Sequence, residues 1–267
     1  MKNTITLLGG DSRFEYASRY FSDRGYEVRQ LLYNSDELPE SLGSTVILPL
    51  PVMRGGFLFS PKSSVKLSEN ELCSVLAKSA SVFGGMVSES LIKKVKEKGA
   101  DIVDYYKNED LLRANATLTA ESAMLLLEQE KIPVKNKRVL VLGFGRCGSE
   151  LARLIKSAGG NVTVVTGKKT INGYSYFGFS SLRESISAFD LVINTVPSQV
   201  LGSEELKRMN KDSSVLEIAS APYGVDFDCA EREKIRVIRA PSLPGRFFPE
   251  RAGEAIAQTI ESLLGDG

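Results

Sequence analysis

Residues 137–148, KRVLVLGFGRCG, join a short apolar run to a glycine-rich turn. The apolar run predicts a buried strand, and the following residues, 149–158, have the apolar spacing of an amphipathic helix. A G-x-G-x-x-G spacing arises by chance, but between a strand and a helix it is typical of a turn that binds a dinucleotide. The residues predicted to contact the dinucleotide at this turn are Gly143, Gly145, Arg146, Cys147 and Gly148.

The three glycines of the turn would serve different purposes. Gly143 would allow a tight turn, Gly145 a close approach of the pyrophosphate to the backbone, and Gly148 close packing of helix on strand. The start of the helix would supply N–H groups to the phosphates. One alternative is a turn that binds nothing, and another is a redox role for Cys147, because a helix start stabilises a thiolate.

The strand predicted over 161–166 bears on the choice of dinucleotide. A protein that selects NAD usually ends this strand in an acidic residue that binds the ribose hydroxyls. Here the strand ends in Thr166, followed by Gly167, Lys168 and Lys169. A hydroxyl and an ammonium group suit a 2′-phosphate, so we predict that Thr166, Gly167 and Lys168 bind NADP, with NAD less favoured. The alternative is a solvated pair of lysines on a loop.

Two later strands, predicted over 191–194 and 215–218, end in small and turn-forming residues. Ligands of open α/β sheets lie outside the carboxyl ends of the strands, so we expect these exits to line the nicotinamide side of the cofactor. Ordinary turns at the ends of strands would look the same. The residues predicted for this role are Thr195, Val196, Pro197, Ala219 and Ser220.

Short β-rich runs alternate with amphipathic stretches in both halves of the chain, which is typical of an α/β protein with parallel sheets. We predict strands over 5–8, 27–32, 45–48, 81–83, 102–105, 137–142, 161–166, 191–194 and 215–218. We predict helices over 13–24, 68–79, 88–98, 109–130, 149–158 and 252–264. The predicted fold class is α/β, with two doubly wound parallel-sheet domains, the second a Rossmann NAD(P)-binding domain.

A break after the long helix sets the predicted domain boundaries. Residues 1–116 are predicted to form a flavodoxin-like substrate domain, and residues 117–134 a connecting helix and linker. Residues 135–248 would form the dinucleotide-binding domain. Residues 249–267 would form a helix that packs back on the first domain.

Composition excludes several kinds of chemistry. The 267 residues include no histidine, which removes histidine acids, bases and metal ligands. The three cysteines are widely spaced without a CxxC pair, so we expect reduced thiols and no metal site. Thirty-four basic against thirty-three acidic residues give no general attraction to nucleic acid or an anionic membrane. We expect a cytoplasmic protein without a membrane helix.

Polar residues in the first half are candidate ligands of an anion. Residues 9–13, GGDSR, end a strand before a helix, where N–H groups, Ser12 and Arg13 could bind a phosphate or carboxylate. Arg54 follows another strand exit. Thr119 fits the N-cap of the helix leading into the second half, with Glu121 in its first turn. Glu121 is also a candidate base, which matters more in a chain without histidine.

Eight short segments together point to one family. They are GGDSR at 9–13, LPLP at 48–51, TAE at 119–121, GFGRCG at 143–148, NTVP at 194–197, PYGVDFD at 222–228, LPGR at 243–246 and AGE at 252–254. On these segments the chain resembles, over nearly its whole length, the dipicolinate synthase A-subunit family of endospore-forming bacteria.

The resemblance implies a two-domain fold like that of formate and glycerate dehydrogenases, with the last helix returning to the first domain. It implies an oxidoreductase acting on a CH–CH group, which oxidises dihydrodipicolinate to dipicolinate with NADP during sporulation, in the mother-cell cytoplasm. It also implies a flavoprotein-like partner, the B-subunit of dipicolinate synthase. A homo-oligomer is an open alternative for the assembly.

The implied substrate carries two carboxylates, which guanidinium groups match well. Arg13, Arg54 and Arg246 are the candidates, with Ser12 and Thr119 as further substrate contacts and Arg13 and Glu121 as the catalytic candidates. Aromatisation of a dihydropyridine requires loss of a hydride and a proton, so a carboxylate or water suffices as base. Two other functions stay open: a non-catalytic NADP(H)-binding sensor or scaffold for the B-subunit, and reduction of another small cyclic imine or dicarboxylate.

Overall fold

The computed structural model of the chain describes residues 4–33, 36, 38, 39, 41–77 and 79–265. Lys78 of the predicted helix 68–79 lies outside the described residues, as do the first three residues of the predicted domain 1–116 and the last two of the segment 249–267. The chain divides into two compact units. Met1–Ala114 and Phe248–Gly267 form the first, and Asn115–Phe247 forms the second.

The first unit is a parallel sheet with helices on both faces. Its elements are β1 (Thr4–Leu8), α1 (Arg13–Asp23), β2 (Glu27–Leu31), β3 (Thr45–Ile47), β4 (Met53–Arg54), β5 (Phe57–Leu58), α2 (Glu69–Leu76), β6 (Ser81–Gly84), α3 (Glu89–Glu97), β7 (Ile102–Asp104) and a 3₁₀ turn at Tyr105–Lys107. The strand order is β2-β1-β3-β6-β7, and β4 and β5 form an antiparallel hairpin. Alternate residues of β1 face opposite ways, so that Ile5 and Leu7 enter one core and Leu8 the other.

A long helix, α4 (Glu109–Gln129), begins in the first unit and continues into the second. The prediction that Thr119 is its N-cap is wrong. The side chain of Asn108 accepts hydrogen bonds from the backbone N–H groups of Asp110 and Leu111, each at 3.0 Å, and so caps the helix well before Thr119. Thr119 lies inside the helix, where its hydroxyl donates to the carbonyl of Asn115 at 2.7 Å.

The second unit is also a parallel sheet covered on both faces. Its elements after α4 are β8 (Arg138–Leu142), α5 (Arg146–Ser157), β9 (Asn161–Val165), β10 (Ser175–Phe177), α6 (Leu182–Ser185), β11 (Leu191–Asn194), α7 (Ser203–Leu206), β12 (Ser214–Glu217), α8 (Phe227–Arg232), β13 (Arg236–Arg239) and α9 (Leu243–Phe247), with 3₁₀ turns at Phe179–Ser181 and Ile186–Ala188. The strand order is β10-β9-β8-β11-β12-β13. Val139 and Val141 pack towards α4 and α5, whereas Leu140 and Leu142 pack towards α6, α7 and α8.

The chain ends in α10 (Pro249–Gly265), which packs against α1 of the first unit. A Cβ atom on Gly253 would lie 2.2 Å from the carbonyl oxygen of Arg13, so only glycine allows this approach of the two helices. The hydroxyl of Tyr20 donates to Glu261 at 2.7 Å across the same contact. The predicted return of the last helix to the first domain is confirmed.

The α/β class with two doubly wound parallel sheets is likewise confirmed, and the predicted strands and helices lie within a few residues of the observed ones. The hairpin, β10 and β13 were not predicted. β10 and β13 are edge strands with exposed residues, and they lack the buried apolar run that marks an inner strand. No helix in the described ranges is both long and apolar enough to cross a membrane.

The order of strands in the second sheet reverses direction between β8 and β11. The chain runs outward from β8 through β9 to β10, and then from β11 through β12 to β13 on the other side. Such a reversal opens a crevice at the carboxyl ends of the two central strands, where open α/β sheets bind their ligands. The glycine-rich turn after β8 and the loop after β11 meet at this point.

Candidate functional site

The turn between β8 and α5 is held tightly by two of its glycines. Gly143 has φ +93°, and a Cβ atom there would lie 2.5 Å from the hydroxyl oxygen of Thr195. A Cβ atom on Gly148 would lie 2.3 Å from the carbonyl oxygen of Gly143. Both positions therefore require glycine for the packing of the protein itself, whether or not a ligand binds.

Gly145 is different, because none of the described residues requires a glycine at this position. Its φ of −83° and ψ of −163° are open to any residue. Within the described part of the chain, apart from sequence neighbours and the helix backbone, no heavy atom lies within 4 Å of the place where its Cβ would stand. Gly145 is the N-cap of α5 and has no side chain with which to cap it. A glycine that none of the described residues requires, at the start of a helix, leaves room for a ligand to approach the backbone N–H groups.

Cys147 and Thr119 lie next to each other beside the turn. Burial raises the pKa of the Cys147 thiol, and a hydrogen bond with the Thr119 side chain opposes that shift only in part. The thiol is therefore the form present at neutral pH, which argues against the redox alternative for Cys147. Thr119, a predicted substrate residue, thus contacts the glycine-rich turn.

The end of β9 carries a hydroxyl and a lysine. Thr166 is buried, and its hydroxyl oxygen accepts a hydrogen bond from the backbone N–H of Lys168 at 3.2 Å. The ammonium group of Lys168 lies 5.4 Å from the ring centre of Phe144, inside the glycine-rich turn. Among the described residues, nothing lies within 4 Å of a Cβ built on Gly167. The ammonium group of Lys168 thus lies close to the turn.

Phe144 of the turn also contacts Tyr174, which in turn contacts a second lysine. Phe144 and Tyr174 meet edge to face, with ring centres 5.5 Å apart. The ammonium group of Lys156 lies 5.0 Å from the Tyr174 ring centre and donates to the carbonyl of Gly173 at 2.7 Å. The contact with Tyr174 leaves the charge of Lys156 in place, but of these two lysines only Lys168 contacts a residue of the turn itself.

The exit of β11 packs directly on the glycine-rich turn. The backbone N–H and the hydroxyl of Thr195 both donate to the carbonyl of Leu142, at 3.0 and 2.8 Å. A methyl group of Val196 would lie 2.9 Å from a Cβ on Gly143. Thr195 and Val196 are half-buried, whereas Pro197 is exposed. The structure therefore brings Thr195 and Val196, two of the predicted cofactor residues, together with the turn.

Glu217, at the end of β12, is a buried acid that sequence reasoning missed. It is 1% exposed. Burial raises the pKa of its carboxyl, and hydrogen bonds from Asn194 and from backbone N–H groups of the next loop oppose the shift. An acid at the end of the otherwise apolar run VLEI was the available signal. The predicted residues Ala219, which is buried, and Ser220, which is exposed, come after Ile218 in the next loop.

In the first unit, Arg13 is already engaged with the protein. Its guanidinium forms a two-point contact with Asp11, with Nε at 2.8 Å and an Nη atom at 2.9 Å from the carboxylate oxygens. The same Nη atom donates to the carbonyl of Leu50 at 2.5 Å. Arg13 is 6% exposed. It therefore ties the loop after β1 to the LPLP segment, and a substrate carboxylate would have to share it.

The other predicted substrate and catalytic residues are distributed over both units. Ser12 precedes α1, and Arg54 lies on the β4–β5 hairpin with its guanidinium carbon 4.2 Å from the Phe59 ring centre. In the second unit, Glu121 lies inside α4, in favourable charge interaction with Arg153. Arg246 is on α9, with its guanidinium carbon 5.0 Å from the ring centre of Phe247.

Comparison with known proteins gives consistent results. Residues 110–226 match the NAD-binding domain of the D-isomer specific 2-hydroxyacid dehydrogenases. The chain is 30% identical to the A-subunit of dipicolinate synthase from Bacillus subtilis, over 98% of this chain and 96% of that protein. The crystal structure of the Bacillus subtilis protein superposes with a TM-score of 0.83 at 26% identity, covering 100% and 97% of the two chains. The structure of the dipicolinate synthase A-subunit from Bacillus halodurans gives a TM-score of 0.85 at 24% identity, covering 98% and 97%.

Proposed function

The chain belongs to the dipicolinate synthase A-subunit family, and from that premise we propose that it oxidises dihydrodipicolinate to dipicolinate in a sporulating mother cell. The dihydropyridine ring loses a hydride and a proton and becomes aromatic. Bound NADP supplies the hydride acceptor, so one equivalent each of NADPH and H⁺ forms per dipicolinate.

The observation that carries the cofactor site is the space beside Gly145. The start of α5, whose N-cap Gly145 has no side chain, would hold the pyrophosphate on its backbone N–H groups. Thr195 and Val196, packed on Gly143, would border the nicotinamide half. The residues present fit a pyridine dinucleotide in charge, in shape and in their position at the reversal of strand order.

The preference for NADP rests on the end of β9. Thr166 can hydrogen-bond a phosphate oxygen, and Lys168 brings an ammonium group that an acidic residue would have cancelled. A 2′-phosphate beside Lys168 would meet a favourable charge. NADPH should therefore bind more tightly than NADH.

The proton and the two carboxylates of the substrate need groups from this chain. Glu121 is the proposed base, since the chain has no histidine. Arg54 and Arg246 are the proposed carboxylate ligands, together with Arg13 where it shares its guanidinium between Asp11 and the substrate.

The test is a direct assay. Purified chain, NADP and freshly formed dihydrodipicolinate are mixed, with and without the B-subunit, and NADPH absorbance is followed. NADPH formation that is lost in Glu121→Gln, with NADPH binding intact, supports the proposal. No NADPH in either mixture would remove the enzymatic claim, and tighter binding of NADH than of NADPH would remove the NADP preference.

A second function, an NADP(H)-binding scaffold for a flavoprotein-like B-subunit, is favoured by one observation. The guanidinium of Arg13 is already bound to Asp11, so one of the proposed anion ligands has a structural use. Arg13→Lys separates the two functions. Loss of turnover with intact assembly supports the enzyme, whereas loss only of assembly with the B-subunit supports the scaffold.

A further inference from the structure

Glu217 is a buried carboxylate with no cationic partner among the described residues. It is 1% exposed, and no lysine or arginine of the described ranges forms an ion pair with it. Burying a charge is unfavourable unless other groups compensate for the lost water. The compensation here comes from neutral N–H donors.

Each carboxylate oxygen of Glu217 accepts hydrogen bonds from two directions. The side-chain amide of Asn194 donates to both oxygens at 2.9 Å. The backbone N–H of Ala219 donates to Oε1 at 2.9 Å, and that of Gly224 donates to Oε2 at 3.0 Å. These partners are all donors, which suits an ionised carboxylate and opposes the effect of burial.

Asn194 carries the connection to the neighbouring loop. Its side-chain oxygen accepts from the backbone N–H of Val196 at 3.1 Å, and its nitrogen donates to the Val196 carbonyl at 3.0 Å. A Cβ on Gly224 would lie 2.2 Å from that nitrogen, so Gly224 must be glycine for the network to close. One carboxylate thus ties the loop after β11 to two points of the loop after β12.

The position of these loops relative to the strand reversal gives the network a use. A dinucleotide that crosses the reversal has its adenosine half over β8 and β9 and its other half over β11 and β12. Thr166 and Lys168 lie at the adenosine side, and the loops held by Glu217 lie at the other side.

We propose that Glu217 is a positioning residue for the nicotinamide half of the cofactor, because it fixes the backbone of Val196 and Ala219 on which that half would lie. The inference rests on the proposed function, since it requires the site to bind a pyridine dinucleotide. Glu217 acts through the loops and takes no part in proton transfer.

The experiment compares two ligands on matched variants. NADPH carries the nicotinamide, and 2′-phospho-ADP-ribose lacks it. Glu217→Gln keeps the shape but turns an N–H group towards one of the donors. Asp190→Asn is the control, because Asp190 holds Arg138 at the opposite, amino-terminal edge of the same sheet. We expect Glu217→Gln to lower the affinity for NADPH about tenfold or more, while its affinity for 2′-phospho-ADP-ribose stays within about twofold of wild type. Asp190→Asn should change neither affinity.

The outcomes separate the inference from the proposed function. Equal weakening of both ligands in Glu217→Gln, or no change in either, overturns the positioning role. If Glu217→Gln does not fold, Asn194→Ser carries the same expectation, because it also releases Val196. A wild-type chain that binds neither ligand overturns the cofactor site itself. A wild-type chain that binds NADPH but does not oxidise dihydrodipicolinate overturns the proposed reaction, while the ligand comparison still decides the role of Glu217.

Discussion

Replacing Gly145 and Gly148 one at a time by alanine separates what the fold requires from what a ligand requires. At Gly145 the backbone angles suit alanine, and no described atom opposes the new methyl group. A glycine-to-alanine change at such a position stabilises by about 0.4–1 kcal/mol, while alanine at an N-cap costs about as much relative to glycine. The two effects offset, so Gly145→Ala should change the free energy of unfolding by less than about 0.5 kcal/mol.

Gly148→Ala should behave differently. Its methyl group would lie 2.3 Å from a backbone oxygen, that of Gly143, so the backbone itself must move. Overpacking of this kind costs about 3 kcal/mol, and the better helix propensity of alanine returns about 1 kcal/mol. The net loss of about 2 kcal/mol corresponds to a drop in Tm of about 4–8 °C.

Gly145→Ala should weaken cofactor binding, although it leaves the stability of the protein nearly unchanged. The methyl group would stand where the pyrophosphate meets the start of α5, and weakening two charge-assisted hydrogen bonds by about 1.5 kcal/mol each gives a loss of about 3 kcal/mol. The affinity for NADPH should therefore fall about 100-fold in a protein that is as stable as wild type.

Thermal unfolding and titration of NADPH fluorescence measure the two effects independently. Gly178→Ala is a matched control, because Gly178 has similar extended backbone angles, φ −83° and ψ 162°, before a 3₁₀ turn and is not a predicted cofactor residue. Its methyl group would make only an ordinary contact, 3.7 Å from the hydroxyl oxygen of Ser180. NADPH affinity in Gly145→Ala equal to that of wild type would refute the assignment of the turn. A loss of Tm in Gly145→Ala as large as that in Gly148→Ala would refute the packing argument.

Three further predictions concern single side chains. In fluorescence titrations, Lys168→Ala should lower the affinity for NADPH about tenfold and leave the affinity for NADH unchanged. An equal loss of affinity for both cofactors would contradict a contact with the 2′-phosphate. The Arg138 guanidinium lowers the pKa of Asp190 from 3.8 to about 2, so the pair stabilises the fold above about pH 4 and loses that effect as the pH falls towards 2. In urea unfolding, the difference in free energy of unfolding between wild type and Asp190→Asn should become smaller as the pH falls from about 4 towards 2. A difference that stays constant with pH would show that the ion pair is not its source. Because burial raises the pKa of Cys147, its alkylation by iodoacetamide, followed by peptide mass spectrometry, should be slow at pH 7 and accelerate above about pH 9; fast alkylation at pH 7 would show a stabilised thiolate.

Local signals in the chain were sufficient for the cofactor turn. The strand, the glycines and the helix that make it are consecutive, so their hydrophobic pattern and spacing predict both its shape and its ligand. The prediction of Thr119 as the N-cap was wrong because both asparagine and threonine can cap a helix. Asn108 caps the helix earlier, and a threonine inside a helix can bond the carbonyl of the preceding turn instead.

The amino-acid sequence thus determined the α/β class, the order of elements and the position of the glycine-rich turn, since each of these depends on residues close together in the chain. The network around Glu217 depends on Asn194 and Gly224, which parallel strands bring together from separate segments. The contact of Arg13 with Leu50 likewise joins residues that are far apart in the chain. The open space beside Gly145 also depends on where distant parts of the chain lie. Lateral register between strands is set by packing over the whole sheet, which is why the three-dimensional structure was needed to find these features.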